Sequence, residues 1–171
     1  MMKAILAVLL FASPVLAQDH PAAAAANGGC GSSETQFDVK TNEKQHPVAT
    51  PEARKALVYV FEDMEHGPTM RVGLDGTWVG ANKGKSYFFF SVDPGDHQLC
   101  TNWQSGVFNK RAMRIGSAIS FKAEAGKVYS FRTQFYERTE LDRNVKLEPV
   151  ESAEGQFLIS SSSFSTFHPK K

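Results

Sequence analysis

Three residues near the middle of the chain, Arg71, Gly73 and Trp78, have the types and spacing of a binding surface. They flank Asp75-Gly76, a pair that supplies the positive φ angles of a type I′ turn, so the stretch around it reads as a two-residue β-hairpin. The turn sets the register: Leu74 faces Thr77, Gly73 faces Trp78, Val72 faces Val79 and Met70 faces Ala81. Met70, Val72, Leu74, Val79 and Ala81 then make a core side, and Arg71, Gly73 and Trp78 share the other. An indole lying across bare glycine backbone beside a guanidinium is a flat stacking platform for a sugar or a peptide. Aromatic cover of a strand glycine is also a stabilising device in its own right, and it accounts for the same residues.

Other chemistry finds less support. Nucleophilic hydrolysis needs a nucleophile on a sharp turn with a histidine to deprotonate it, and no Gly-x-Ser-x-Gly stretch occurs. A zinc site needs converging ligands, whereas His20, His46, His66, His97 and His168 are scattered singly. His66 beside Glu62, Asp63 and Glu65 is a local acidic cluster with an imidazole, and a solvated polar loop over 62–69 explains it. No carboxylate pair is marked out for glycoside chemistry. The expectation is a non-enzyme with no cofactor and no metal.

Cys30 and Cys100 are the two cysteines of the chain. In an oxidising compartment they read as one disulfide, closing a loop for which the chain-entropy model gives about 4 kcal/mol. That compartment is suggested by residues 1–17, where a basic start at Lys3, a short apolar run and small residues at Val15 and Ala17 make a cleavable signal peptide. The apolar run is well short of the roughly 20 residues of a spanning helix. Cys30 lies too far downstream for lipidation. The expected product is exported, periplasmic or extracellular, soluble and without a transmembrane segment once the signal is cleaved. With 19 basic against 18 acidic side chains, no charge footprint for nucleic acid exists.

The elements that must position these residues are mostly strands. Residues 18–54 are rich in Ala, Gly, Ser and Asn and read as a flexible leader that touches the domain near Cys30 and Phe37. The domain is expected over 55–167, with 168–171 as a tail. Residues 56–61 form a continuous apolar, β-rich run, the mark of a strand covered on both faces, and 87–92 form another. Asp93-Pro94-Gly95-Asp96 suggests a type II turn, with 97–104 returning as a hairpin partner. Ile119, Phe121 and Ala123, then Tyr129, Phe131 and Phe135, suggest a further hairpin with one wet face. A shorter strand follows around Val145 and Leu147, then a short helix capped by Ser152 and a frayed end from Ser160. About seven strands joined by turns make an all-β, antiparallel β-sandwich with a possible short C-terminal helix.

Lys55-Ala56-Leu57-Val58-Tyr59-Val60-Phe61, Val72-Gly73-Leu74-Asp75-Gly76-Thr77-Trp78-Val79-Gly80, Ser86-Tyr87-Phe88-Phe89 and Pro94-Gly95-Asp96-His97-Gln98-Leu99 occur in this order. Together they resemble an exported bacterial family known as domain-of-unknown-function family 2846. The stretch from Asp75 to Leu99 is also similar to surface-layer-type β-sandwich repeats. The resemblance implies an envelope-associated β-sandwich and brings no catalytic residue with it. Many members of the family are lipoproteins, and this chain departs from them in lacking a lipidation box.

The resulting expectation is a non-catalytic module of the cell envelope or periplasm that binds a protein partner or a cell-wall polymer. A hydrolase or enzyme-accessory domain and a purely structural envelope component are the alternatives.

Overall fold

A computed structural model of the chain describes residues 30–104, 116–139 and 142–171. The signal-peptide reading of 1–17 and the first part of the leader lie outside these residues. The chain folds into ten strands and one helix: β1 (Phe37–Asn42), β2 (Ala56–Glu62), β3 (Thr69–Leu74), β4 (Thr77–Lys83), β5 (Ser86–Val92), β6 (Gly95–Trp103), β7 (Gly116–Ala123), β8 (Val128–Thr139), β9 (Asp142–Pro149), α1 (Ser152–Ser161) and β10 (Ser163–Pro169). They form a six-stranded sheet of order β1-β10-β5-β2-β8-β9 and a four-stranded sheet of order β4-β3-β6-β7. The all-β sandwich inferred from the sequence is therefore present, with more strands than expected and not wholly antiparallel: β2 runs parallel to β8, and β10 to β5.

Two apolar layers hold it together. Ala56, Val58, Val60, Val72, Phe88, Leu99, Phe131 and Leu147 meet between the sheets. Leu57, Tyr59, Phe61 and Tyr87 point the other way, where Leu158 and Ile159 of α1 cover them. This second layer explains why β2 and the start of β5 are apolar at successive positions: each has a buried side on both faces. Arg132 of β8 pins the helix by donating to Glu154 at 2.6 Å and to Glu148 at 2.7 Å. That guanidinium is the main reason the Glu148 carboxyl is held below its ordinary range.

Several connections differ from the expected hairpins. β5 and β6 lie in different sheets, as do β7 and β8. Both sides of β5 are already taken, by β2 and β10, so after Val92 the chain crosses to the four-stranded sheet. Pro94 has no N–H to extend a ladder, and Gly95 sits at φ 145°, away from the roughly +80° of a type II turn. β6 pairs instead with β3 and β7, while β8 pairs with β2 and β9. Part of the leader is also strand, because β1 adds to the six-stranded sheet beside β10. The end read as frayed is ordered too: α1 runs to Ser161, and β10 takes Ser163 to Pro169. Ser152 opens α1 rather than capping it; the cap position is Glu151, whose side chain makes no capping bond.

The β3–β4 hairpin turns at Asp75 and Gly76, with φ of 51° and 81°, as the Asp-Gly pair requires. Leu74 faces Thr77 and Gly73 faces Trp78, but beyond them a bulge shifts the register. Val72 faces Gly80, Arg71 faces Ala81 and Met70 faces Asn82. Val79 packs against the core, and a Cβ on Gly80 would come within 2.6 Å of the Phe88 and Phe167 rings. The extra residue thus lets two neighbours turn inward where the sheets approach closely. Ala81 consequently shares a side with Arg71, and the fully buried Asn82 takes the expected place of Ala81 opposite Met70.

Candidate functional site

The hairpin brings Arg71, Gly73 and Trp78 together, with the guanidinium carbon 4.4 Å from the centre of the indole. The face is covered by the chain itself. Cys30 is joined to Cys100 of β6, with Cα atoms 5.7 Å apart, and residues 31–35 continue across Trp78 and Arg71. The Trp78 indole N–H donates to the Ser32 carbonyl at 2.8 Å. The Arg71 guanidinium donates to the Thr35 carbonyl at 2.7 Å, to that of Ser33 at 3.3 Å and to Asn102 Oδ1. Burial lowers Arg71 from its ordinary pKa, and these carbonyls supply partners to a charge that water no longer reaches.

Two glycines permit the contact. A Cβ on Gly31 would stand 2.7 Å from the Trp78 ring, and one on Gly73 would stand 2.3 Å from the Cys30 carbonyl oxygen. Gly31 therefore lies against the indole, while the expected partner, Gly73, is occupied by the two cysteines. Each hydrogen bond here contributes about 0.5–3 kcal/mol, against about 1–2 kcal/mol to fix the backbone of one residue. Three bonds spread over residues 31–35 come near balance, so the covalent link at Cys30 weighs heavily in keeping the segment down.

A second region remains open. A groove of about 520 Å³ is lined by Thr41, Glu43, His46, Glu65, His66, Lys83, Gly84, Lys85 and the four serines from Ser160 to Ser163. Its walls come from the end of β1, the β2–β3 loop, the β4–β5 turn and the α1–β10 junction. The turn needs Gly84 at φ 65°, and the junction is fixed by Ser163 N–H donating to the Lys85 carbonyl at 3.0 Å. His46 Nδ1 lies 2.9 Å from the Ile159 carbonyl and 3.1 Å from that of Ser162. Both partners are acceptors, so Nδ1 carries a proton and the ring closes the C-terminal end of α1.

Glu62 stands behind this groove. It ends β2 instead of beginning a polar loop, is 1% exposed, and faces the inter-sheet space beside Ser86 and Thr133. Neither carboxylate oxygen has a hydrogen-bond partner of good geometry. Burial pushes its pKa up to about 9, partly offset by the Gly84 backbone and the Lys83 charge. The acidic cluster around His66 is consequently divided. Glu62 is buried, Asp63 approaches Arg132 at 3.7 Å, and Glu65 and His66 line the groove. Among the described residues no group of three His, Cys, Asp or Glu side chains is placed to hold a metal ion.

His97 has a local task. It bridges the β3–β4 turn and the β5–β6 crossing, with Nδ1 2.7 Å from Asp75 Oδ2 and Nε2 2.8 Å from the Asp93 carbonyl. Asp75 Oδ1 accepts from Gln98 N–H at 2.8 Å. Burial lowers the His97 pKa, but the Asp75 hydrogen bond, with help from Asp93, leaves it raised overall. His168 lies at the far end of β10, 3.8 Å from Asp38, apart from the groove-lining residues. Trp103 is half-buried and meets Phe135 edge-on, in keeping with a packing role.

The groove was invisible in the sequence because its walls are separated by many residues in the chain. The serine stretch at 160–163 was its one local signal. No family model, no curated protein and no solved structure matches this chain.

Proposed function

We propose that the chain is an exported, non-catalytic module of the cell envelope or periplasm that binds a cell-wall polymer through the polar groove. The groove itself is the observation that carries this reading: hydroxyls, amines, imidazoles and carboxylates line one open cleft of about 520 Å³. Such a set suits a chain rich in hydroxyl, amide and carboxylate groups, because each wall offers donors or acceptors to one of them. Export rests on the signal-like residues 1–17, and the Cys30–Cys100 bond is compatible with it. Among the described residues no helix is long and apolar enough to cross a membrane. The resemblance to family 2846 points to the same compartment and leaves the ligand open.

Co-sedimentation of the purified chain with isolated peptidoglycan tests the proposal. The parent is expected to pellet, and a His66→Ala, Lys85→Ala double variant to remain in the supernatant with an unchanged melting curve. Failure of the parent to pellet removes the polymer reading. Equal pelleting of both proteins removes the groove as the site.

A further inference from the structure

We infer that the Cys30–Cys100 disulfide gates a docking face for a turn-forming peptide: reduction frees residues 30–35, and a glycine-containing turn segment of another protein takes their place on Arg71 and Trp78. This goes beyond the groove reading and does not depend on it. The face grips its present occupant through the main-chain carbonyls of Ser32, Ser33 and Thr35. These carbonyls are presented by a turn, in which Thr35 N–H donates to the Ser32 carbonyl at 3.3 Å, so recognition of this kind asks for a backbone turn rather than for particular side chains. It sets one steric demand, a glycine against the indole where Gly31 now lies.

The segment is bounded so that it can leave without disturbing the sheets. On its far side Phe37 N–H donates to Gln104 Oε1 at 2.7 Å, and Lys170 N–H donates to the Gln36 carbonyl at 2.8 Å. The flap thus runs from Cys30 to Thr35, held at one end by β1 and at the other by the disulfide. Cys30 is half-exposed while Cys100 is buried, so an incoming thiolate meets the Cys30 sulfur first. Attack by one thiolate of a dithiol forms a mixed disulfide with Cys30 and releases the Cys100 thiolate, which takes up a proton. The second thiol of the reagent then displaces Cys30 as a thiol. The dithiol leaves as a cyclic disulfide, having supplied two electrons and two protons.

The test uses the full chain, with and without dithiothreitol, and a synthetic thiol-free peptide carrying the sequence of residues 31–36. Hydrogen exchange at the Trp78 indole N–H is followed by NMR, its signal distinguished from that of Trp103 by Trp78→Phe. The oxidised chain is expected to exchange slowly and to ignore the peptide. Reduction is expected to speed exchange by about tenfold or more and to permit peptide binding, which slows exchange again. A peptide with alanine in place of its glycine should not bind. Cys30→Ser, which leaves the buried Cys100 in place, should behave as the reduced chain without reductant. Unchanged exchange after both thiols have been titrated overturns the inference, as does equal peptide binding to the oxidised chain. Loss of sheet signal dispersion on reduction overturns it too, because the bond would then hold the domain rather than a flap.

Discussion

The Arg71–Trp78 face and the polar groove differ in how they are made and in what fills them. The face comes from one hairpin plus six residues tied over it by a disulfide, and its indole N–H and terminal guanidinium groups are already spent on the chain's own carbonyls and on Asn102. The groove comes from segments far apart in the chain and keeps its amines and hydroxyls around open space. An aromatic beside a guanidinium was the most conspicuous binding signal in the sequence, yet in the folded chain it serves first as a seat for residues 31–35. Residue types that favour binding do so for an internal partner as readily as for an external one. Free volume separates the two cases.

Variants can break or sharpen this contrast. Cys30→Ser should have the largest effect, lowering stability by up to about 4 kcal/mol in urea denaturation, while peptidoglycan binding by the folded protein stays unchanged. Glu62→Gln should act behind the groove. The Glu62 carboxyl titrates near 9 in the folded chain and in the ordinary carboxylate range when unfolded. Between these values the folded state holds the extra proton, so the parent is most stable below the unfolded pKa and loses stability as pH rises towards 9. The amide has no such slope, and Glu62→Gln should exceed the parent by roughly 3 kcal/mol near pH 6.5 and by little at pH 4. Parallel pH profiles for the two proteins would contradict the buried, protonated carboxyl.

Gly73→Ala should have a smaller effect, confined to the covered face. Its Cβ would stand 2.3 Å from the Cys30 carbonyl oxygen, so the flap must shift, at a cost of about 1–3 kcal/mol. Thermal melts should show that loss, and peptidoglycan pelleting should not change. Lys85→Ala completes the series. At the exposed rim of the groove it should change stability by no more than about 0.5 kcal/mol while weakening pelleting, the reverse of Gly73→Ala.

Sequence patterns with short range were readable. Asp75-Gly76 forced the hairpin turn, and the apolar run of β2 announced cover on both faces. The two cysteines, 70 residues apart, were readable by their number alone. Other longer-range features were not. Pro94-Gly95 looks like a tight turn within one sheet, and only the occupancy of both sides of β5 shows that the chain must cross to the other. The bulge at Val79 depends on how Gly80 passes beneath the Phe88 and Phe167 rings, a contact between distant residues. Glu62 follows an apolar run and precedes Asp63, a pattern equally suited to a strand end or a loop start. Its burial is settled by Gly67 and Gly84, which close over it from separate loops. The Asp75–His97 contact likewise joins residues far apart in the chain, and in this fold it braces a turn.

The most direct measurement is a backbone amide shift map of the oxidised chain titrated with soluble peptidoglycan fragments. Shifts are expected at Thr41 to His46, Lys83 to Lys85 and Ser160 to Ser163, with Arg71 to Trp78 unmoved. Shifts concentrated at Arg71 to Trp78, or none at all, would contradict the groove as the binding site.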